Sequence, residues 1–233
     1  MSVHRVEDVV SFYDALQRLQ ARTGKRRLAE CHGRLDWPRR GVYFFFEPGE
    51  LRLGSGSGPR VVRVGTHALA AGASSSLWGR LSQHRGTGAG KGNHRGSIFR
   101  LLVGEAMLAR EGRSLPSWGL GGAIRQGAAR LQRAVEIVRA EEAGVEAAVS
   151  EHIGAMEFLW LDVADEAGPG SDRGTIERNS IALLSNFERP SVDPPSAAWL
   201  GRFSSRELVR RSGLWNSNHV RESYDASFLR RIG

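Results

Sequence analysis

The sequence predicts an α/β (α+β) fold in which a small three-stranded sheet is flanked by helices. Three short runs have the β-branched and aromatic content of buried strands, at residues 41–46, 61–65 and 156–163. Segments with helical periodicity lie before, between and after these runs. A chain of 233 residues can bury enough surface for one large domain or two small ones.

The first predicted element is an amphipathic helix near the N-terminus. Its apolar residues recur at helical spacing with polar residues between them: Val6, Val9, Val10, Tyr13, Leu16 and Leu19. Pro38 then interrupts the chain, and Gly41 opens the first strand, GVYFFF. The strand's uninterrupted apolar content is typical of a strand buried on both faces.

A second strand and a helix follow the first strand. The strand is VVRVG at 61–65, and the Gly-rich connection before it is too long for a tight hairpin turn. Residues 76–85, SLWGRLSQHR, are predicted to form a helix with Ser75 or Ser76 as its N-cap. One face of this helix carries both apolar and polar residues: Leu77, Arg80, Leu81 and His84.

The remaining elements are an insertion, a third strand and a further helix. We interpret residues 86–151 as an insertion that ends in Ala-rich helix over 124–151, with a break near Gly144. The third strand, MEFLWLDV, precedes a helix over 173–187 for which Asp172 is the expected N-cap.

The composition points toward nucleic acid but does not settle the matter. The 33 Lys and Arg residues exceed the 25 Asp and Glu residues, and only Lys25 and Lys91 are lysines. The planar guanidinium fork matches phosphate geometry, so an arginine excess favours nucleic-acid binding. A coding bias toward Arg, Ala and Gly explains the same composition equally well.

The cysteine count and the hydropathy pattern bear on the cellular compartment in which we expect the protein. The single cysteine, Cys31, excludes an internal disulfide and any multi-cysteine zinc or iron–sulfur site. No window approaches the roughly 18 consecutive apolar residues that a membrane span requires. We therefore expect a cytoplasmic protein that does not bind membranes.

Three familiar motif classes do not match the sequence. A phosphate-binding loop needs four residues between its first Gly and its Gly-Lys pair, whereas only three separate Gly86 from Gly90. Gly92 also stands where that motif has Ser or Thr, so we expect a mobile basic loop. No histidine pair has the spacing of a helical zinc site, and no Gly-x-Ser-x-Gly elbow follows a strand.

Taken in order, the remaining elements resemble the GIY-YIG nuclease superfamily. The matching fragments are GVY (41–43), RVG (63–65), LWGRLSQH (77–84), IERNSIALL (176–184) and SNF (185–187). The resemblance covers roughly residues 41–187 without the insertion. It implies that the sheet is mainly antiparallel.

This resemblance also implies a division of the chain into three parts. Residues 1–40 would be an N-terminal helical extension, and 41–190 the GIY-YIG-like nuclease domain, which contains the insertion. Residues 191–233 would form a basic C-terminal extension.

The chain departs from the family pattern at Arg63. Where the family commonly has its second motif tyrosine, the sequence is RVG. Some restriction-endonuclease-like members are similar in placing a cation there, and their elaborations resemble the long loop and the insertion of this chain. We therefore place the chain nearest to that branch.

Strand alternation supports the resemblance independently. Tyr43 and Phe45 should point to one face of their strand, and Arg63 should share a face with Val61 and Gly65. If register aligns these faces, Tyr43 and Arg63 project together beside Arg80 and His84. Gly65 would let a backbone or a phosphate approach closely.

By resemblance, Glu177 would bind one Mg²⁺ or Mn²⁺ ion and Arg80 would hold the scissile phosphate. Tyr43 would accept the proton of the attacking water. A phenol is a weak proton acceptor near neutral pH, so the cations Arg63 and Arg80 would have to assist it. The implied remaining roles are a proton relay at His84 and an orienting hydrogen bond from Asn186.

These residues also have ordinary structural interpretations. Tyr43 fits a core aromatic, Glu177 a favourable acid in the first turn of a helix, and Asn186 a C-terminal cap. Arg80 and His84 alone fit a solvated helix face.

The resemblance implies a metal-dependent DNA endonuclease with a restriction or defence role, acting on double-stranded DNA. Its products would carry 5′-phosphate and 3′-hydroxyl ends, and a homodimer is expected by analogy with restriction-type relatives. The alternative is a catalytically inactive nucleic-acid-binding module that keeps the fold. A third, weaker hypothesis is a scaffold that does not bind nucleic acid.

Overall fold

The computed structural model describes residues 3–87, 91–168 and 170–233. Residues 88–90, the centre of the Gly-rich loop that we expect to be mobile, lie outside the described residues. The helices are α1 (Val3–Thr23), α2 (Leu77–Arg85), α3 (Ile98–Arg110), α4 (Ile124–Arg130), α5 (Val135–Ala155), α6 (Asp172–Leu184) and α7 (Glu207–Ser212). The strands are β1 (Arg26–Arg27), β2 (Gly41–Leu51), β3 (Pro59–Gly65) and β4 (Glu157–Asp162).

The strands form one antiparallel sheet in the order β1-β4-β2-β3. The three long strands are the three that the sequence predicts, and the α+β architecture is confirmed. The fourth strand, β1, has two residues and pairs with the start of β4. So short a run has no alternation pattern, which is why the sequence predicts three strands.

The sheet is covered on both faces. Val42, Phe44 and Phe46 pack against apolar residues of α1 and α6. Tyr43 and Phe45 on the opposite face pack against α2, α3 and α5, together with Trp199 and Trp215. Both faces of β2 are therefore buried, as the apolar run predicts.

The predicted insertion and the predicted C-terminal extension both contribute to the core around Tyr43. Phe99 and Val103 come from α3, and Val149 and Ile153 come from α5. Trp215 follows α7 and is fully buried. The three-part division of the chain stays a prediction, and its parts share one core around the sheet.

A β-bulge in β3 corrects one expectation about side-chain faces. Phe45 lies opposite Arg63, but Phe46 lies opposite Val61, so Val62 is the extra residue. Val61 consequently packs in the cluster around α1, on the other face from Arg63. The bulge breaks the alternation of side chains between the two faces. The sequence carries no signal for the bulge, so alternation predicted the wrong face for Val61.

Two helix boundaries also differ from prediction. Ser171, and not Asp172, caps α6, because the Ser171 hydroxyl accepts a hydrogen bond from the Gly174 amide at 3.2 Å. Helix α5 continues through Gly144, where an added Cβ would meet nothing within 4 Å. The break in the Ala-rich segment lies between α4 and α5, near Gln132, which has a φ of 54°. At the start of α2, Ser76 is the N-cap, as predicted.

None of the helices in the described ranges is both long and apolar enough to cross a membrane.

Candidate active site

Tyr43 lies at the centre of the sheet with its ring across the adjacent strand. It pairs with Gly65 on β3 and with Trp160 on β4, and its side chain is 1% exposed. A Cβ on Gly65 would overlap the Tyr43 ring and hydroxyl. The space at Gly65 therefore accommodates Tyr43, and not the backbone or phosphate that we expected there.

Replacing Gly65 by Ala should lower the stability of the fold and shift the Tyr43 hydroxyl. The added methyl would force the buried Tyr43 ring out of place, and overpacking of this kind costs about 1–3 kcal/mol. Gly144→Ala is the matched control, because its Cβ would meet open space on a helix and should be neutral or stabilising. Thermal unfolding measures the first effect, and the NMR chemical shifts of the Tyr43 ring measure the second. Equal behaviour of the two variants would contradict the packing of Tyr43 over Gly65.

His84 of α2 contacts the Tyr43 hydroxyl directly. Tyr43 Oη and His84 Nε2 are 2.9 Å apart, and His84 Nδ1 is 2.8 Å from the Ser97 hydroxyl. Ser97 is the N-cap of α3, and its hydroxyl also accepts a hydrogen bond from the Arg100 amide at 3.3 Å. The predicted insertion thus contains the residue that fixes the His84 ring.

The environment of His84 keeps the ring neutral. The pKa of His84 is lowered well below its ordinary value, first by burial and then by the positive charges of Arg63, Arg80 and Arg100. One nitrogen of a neutral imidazole carries a proton and the other accepts one. If Nδ1–H donates to Ser97, Nε2 accepts the Tyr43 hydroxyl proton.

This lowered pKa predicts acid sensitivity of the fold. The unfolded chain binds a proton at His84 near pH 6.5, whereas the folded chain does not, so stability should fall as pH falls below 6.5. His67, whose pKa burial lowers to about 4, adds to the same loss. Each such proton contributes up to about 1.4 kcal/mol per pH unit.

Chemical denaturation at pH 7.5 and pH 5 measures this loss. His84→Gln should lose less stability over that interval than the wild type. Identical losses in the two proteins would contradict a neutral, buried His84.

Arg63 is the third side chain near Tyr43, and it is 6% exposed. Its Nη1 donates a 2.6 Å hydrogen bond to the Trp215 carbonyl, and its guanidinium lies 4.7 Å from the centre of the Phe99 ring. Burial lowers the pKa of Arg63, and the proximity of Tyr43 and Glu177 opposes this lowering. The cation that replaces the usual motif tyrosine thus lies beside Tyr43.

Glu177 is half-buried on α6 and points toward the end of β3. Its Oε1 accepts a 3.1 Å hydrogen bond from the Thr66 amide, and the Thr66 hydroxyl donates to the Gly41 carbonyl at 2.8 Å. Burial raises the pKa of Glu177, and the charges of Arg63 and His219 act against this increase. The carboxylate therefore lies next to the strand ends that carry Tyr43 and Arg63.

Arg80 is half-buried on α2, one turn before His84. Its Nη1 donates to the Gln83 side chain at 2.9 Å. Its charge lowers the pKa of both Arg63 and Glu177, which places it in the same electrostatic neighbourhood. A cation in this position can bind an anionic group in front of Tyr43.

Asn186 lies in a different set of contacts. Its Nδ2 donates to the Asp193 carbonyl at 3.1 Å, and its Oδ1 accepts from the Val192 amide at 3.2 Å. Arg5 also approaches Oδ1, at 3.5 Å. These contacts hold the loop after α6, and a role for Asn186 at the site stays a prediction.

The structure adds residues that the sequence did not indicate: Thr66, Ser97, Trp215 and His219. Thr66 and Trp215 act through main-chain atoms, which leave no signature in a sequence. His219 has a φ of 62°, and its Nδ1 lies 2.7 Å from the Glu222 carboxylate. Its proximity to Glu177 depends on the fold of the C-terminal segment, so local patterns could not reveal it.

The donor set suits a hard cation that keeps most of its water ligands. The described ranges contain no cluster of three or more His, Cys, Asp or Glu residues that could hold a metal ion. Mg²⁺ is commonly bound by only one or two carboxylates and retains several waters. The half-buried Glu177 carboxylate, with one hydrogen bond at Oε1, fits this pattern.

The fold and the site define a class of protein related to nucleases that hydrolyse phosphodiesters. A family model described as GIY-YIG domain matches residues 3–233, and the chain belongs to this family. Nucleases of the family typically use a divalent metal ion. Searches of curated proteins and of solved structures gave no match. Nothing in the comparisons supports the restriction-endonuclease-like branch, which stays a prediction.

Proposed function

We propose that the protein is a metal-dependent DNA endonuclease that leaves 5′-phosphate and 3′-hydroxyl ends. The observation that carries the proposal is the Tyr43–His84 hydrogen bond, 2.9 Å long, with Arg63, Arg80 and Glu177 around it. These residues come from two strands and two helices. Their convergence supports a common site more strongly than any one motif fragment does.

The chain's own residues can activate a water molecule. As the water oxygen attacks phosphorus, its proton moves to Tyr43 Oη and the Tyr43 proton moves to His84 Nε2. Ser97 holds Nδ1 of His84 and so keeps Nε2 directed at Tyr43. The lowered pKa of His84 keeps the ring neutral, so that Nε2 has a free lone pair for the Tyr43 proton.

The two arginines and Glu177 would bind the scissile phosphate and the metal ion. Arg80 would bind its non-bridging oxygens, and Arg63 would stabilise negative charge that develops near Tyr43. Glu177 would hold a Mg²⁺ or Mn²⁺ ion through its carboxylate. When bound, that ion supplies electrostatic stabilisation of the 3′ oxygen that leaves.

We propose double-stranded DNA as the substrate, and a homodimer as the form that cuts both strands. A net charge of +8 supports attraction to the phosphate backbone. In a dimer, two sites related by symmetry could cleave opposite strands. A restriction or defence role remains part of this proposal.

One observation favours the second candidate, a nucleic-acid-binding module without catalytic activity. Tyr43 is 1% exposed and His84 is 0% exposed. An attacking water molecule must reach the Tyr43 hydroxyl, so cleavage requires local opening between Gly65 and α2. A chain that binds DNA but never opens there would be inactive.

Incubation with supercoiled plasmid and Mg²⁺ or Mn²⁺ distinguishes the two candidates. The proposal predicts nicked or linear DNA whose ends a DNA ligase joins without prior phosphorylation. Salt-sensitive DNA binding without cleavage, over many sequences and both metals, would instead support the inactive module.

A further inference from the structure

We propose that Trp215 is a positioning residue for Arg63 and that the segment 214–216 belongs to the active site. This inference rests on the proposed nuclease function. The C-terminal extension then has a catalytic task in addition to any contact with DNA. Trp215 acts through its main-chain carbonyl and touches neither substrate nor metal.

The segment is attached to the free edge of β3. The Trp215 amide donates to the Val62 carbonyl at 2.7 Å. The Asn216 side chain then bonds both main-chain groups of Val64, accepting from its amide at 3.1 Å and donating to its carbonyl at 2.8 Å. These bonds replace the ladder that another strand would make, and they flank Arg63 on both sides.

The Trp215 indole fixes the segment from a second direction. Its Nε1 donates to Oε2 of Glu47 at 2.9 Å, and Trp199 donates to the same oxygen at 3.0 Å. His152 Nε2 lies 3.0 Å from the other oxygen of Glu47. A buried carboxylate on β2 therefore anchors two tryptophans through charge-assisted hydrogen bonds.

Arg63 depends on this anchor for its orientation. Its Nη1 donates to the Trp215 carbonyl, whereas the buried Nε has no hydrogen-bond partner in the described part of the chain. The guanidinium carbon lies 4.7 Å from the centre of the Phe99 ring, a cation–π contact that has little directional preference of its own. The directional contact of Arg63 is the hydrogen bond to the Trp215 carbonyl.

A pair of matched variants separates positioning from general stability. Trp215→Phe and Trp199→Phe each remove one indole hydrogen bond to Glu47 from a buried site. Of these two tryptophans, Trp215 is the one whose main chain accepts a hydrogen bond from Arg63 in the described part of the chain. We expect Trp215→Phe to lower kcat by roughly 10- to 100-fold at unchanged KM, since small displacements of catalytic groups have effects of this size. Trp199→Phe should change kcat by less than about threefold.

Asn216→Ala provides a second approach if Trp215→Phe does not fold. It releases the segment from Val64 without creating a cavity at Trp215, and it should also lower kcat at unchanged KM. Equal losses of kcat in Trp215→Phe and Trp199→Phe would overturn the inference. So would a higher KM with kcat unchanged, which would indicate that the segment grips DNA instead.

An NMR measurement tests the inference without relying on cleavage. The Nε–H resonance of Arg63, assigned by its loss in Arg63→Lys, should shift or broaden in Trp215→Phe and stay in place in Trp199→Phe. If the Arg63 resonance changes only in Trp215→Phe but the wild type never cleaves DNA, Trp215 positions Arg63 and the nuclease proposal is contradicted. If the wild type cleaves DNA but the resonance behaves alike in both variants, only the positioning role of Trp215 is contradicted.

Discussion

Glu177→Gln should abolish DNA cleavage while leaving DNA binding intact. The substitution keeps the shape of the side chain and an oxygen that can accept the Thr66 amide, but it removes the charge that would hold the metal ion. A metal ion contributes several kcal/mol to the transition state, so kcat should fall by at least about 10³-fold. Cleavage assays at saturating DNA, with binding measured in parallel, provide the comparison.

The same substitution should make the folded protein more stable at neutral pH. Burial raises the pKa of Glu177 above its ordinary 4.5, so the unfolded chain gives up this proton at a lower pH than the folded chain. The charged carboxylate therefore destabilises the fold once pH exceeds the raised value, and glutamine removes this penalty. The stability gain should be largest above the raised pKa and should vanish below pH 4.5.

Glu188→Gln is the control for the loss of one negative charge. Glu188 is exposed, lies just after α6 and pairs with Arg211 at 3.6 Å. The Glu188→Gln variant should have the same kcat as the wild type. Retention of cleavage in Glu177→Gln, or loss of neutral-pH stability, would contradict the assigned role and environment of Glu177.

Tyr43→Phe should also lower the rate of DNA cleavage strongly. The variant keeps the ring that fills the space over Gly65 but loses the hydroxyl that contacts His84. Loss of a general base lowers rates by about 10²- to 10⁴-fold, and we expect a decrease of kcat in this range. The unpaired His84 nitrogen should also cost about 1–3 kcal/mol of folding free energy.

Tyr13→Phe is a matched control on the opposite face of the sheet. Tyr13 is also buried, and its hydroxyl also makes one hydrogen bond, accepting from the Val61 amide at 3.0 Å. It should lose comparable stability and keep full activity. Equal losses of activity in the two variants would show that Tyr43 acts only as a core residue.

Much of the fold could be predicted because its strands and helices carry strong local patterns. The apolar runs of β2, β3 and β4 and the periodicity of α1 each determine their own element. The two-residue strand β1 and the bulge at Val62 could not be predicted, because they are set by pairing with distant residues. For that reason, the prediction that Val61 shares a face with Arg63 was wrong.

The candidate site was predictable only in part. Tyr43 and His84 could be proposed as neighbours from the order of elements, and the structure brings them into hydrogen-bonding contact. The contacts from Ser97 and the Trp215 carbonyl come from 13 and 152 residues away in sequence, to His84 and Arg63 respectively. No local pattern encodes such distant contacts, so they required the folded chain.

Cleavage of supercoiled plasmid by the wild type and Glu177→Gln, at equal DNA occupancy and with Mg²⁺ or Mn²⁺ as the only divalent ion, tests the central claim most directly. The account predicts metal-dependent nicking or cutting by the wild type and none by the variant. Cleavage by both proteins, or by neither while both bind DNA, would contradict it.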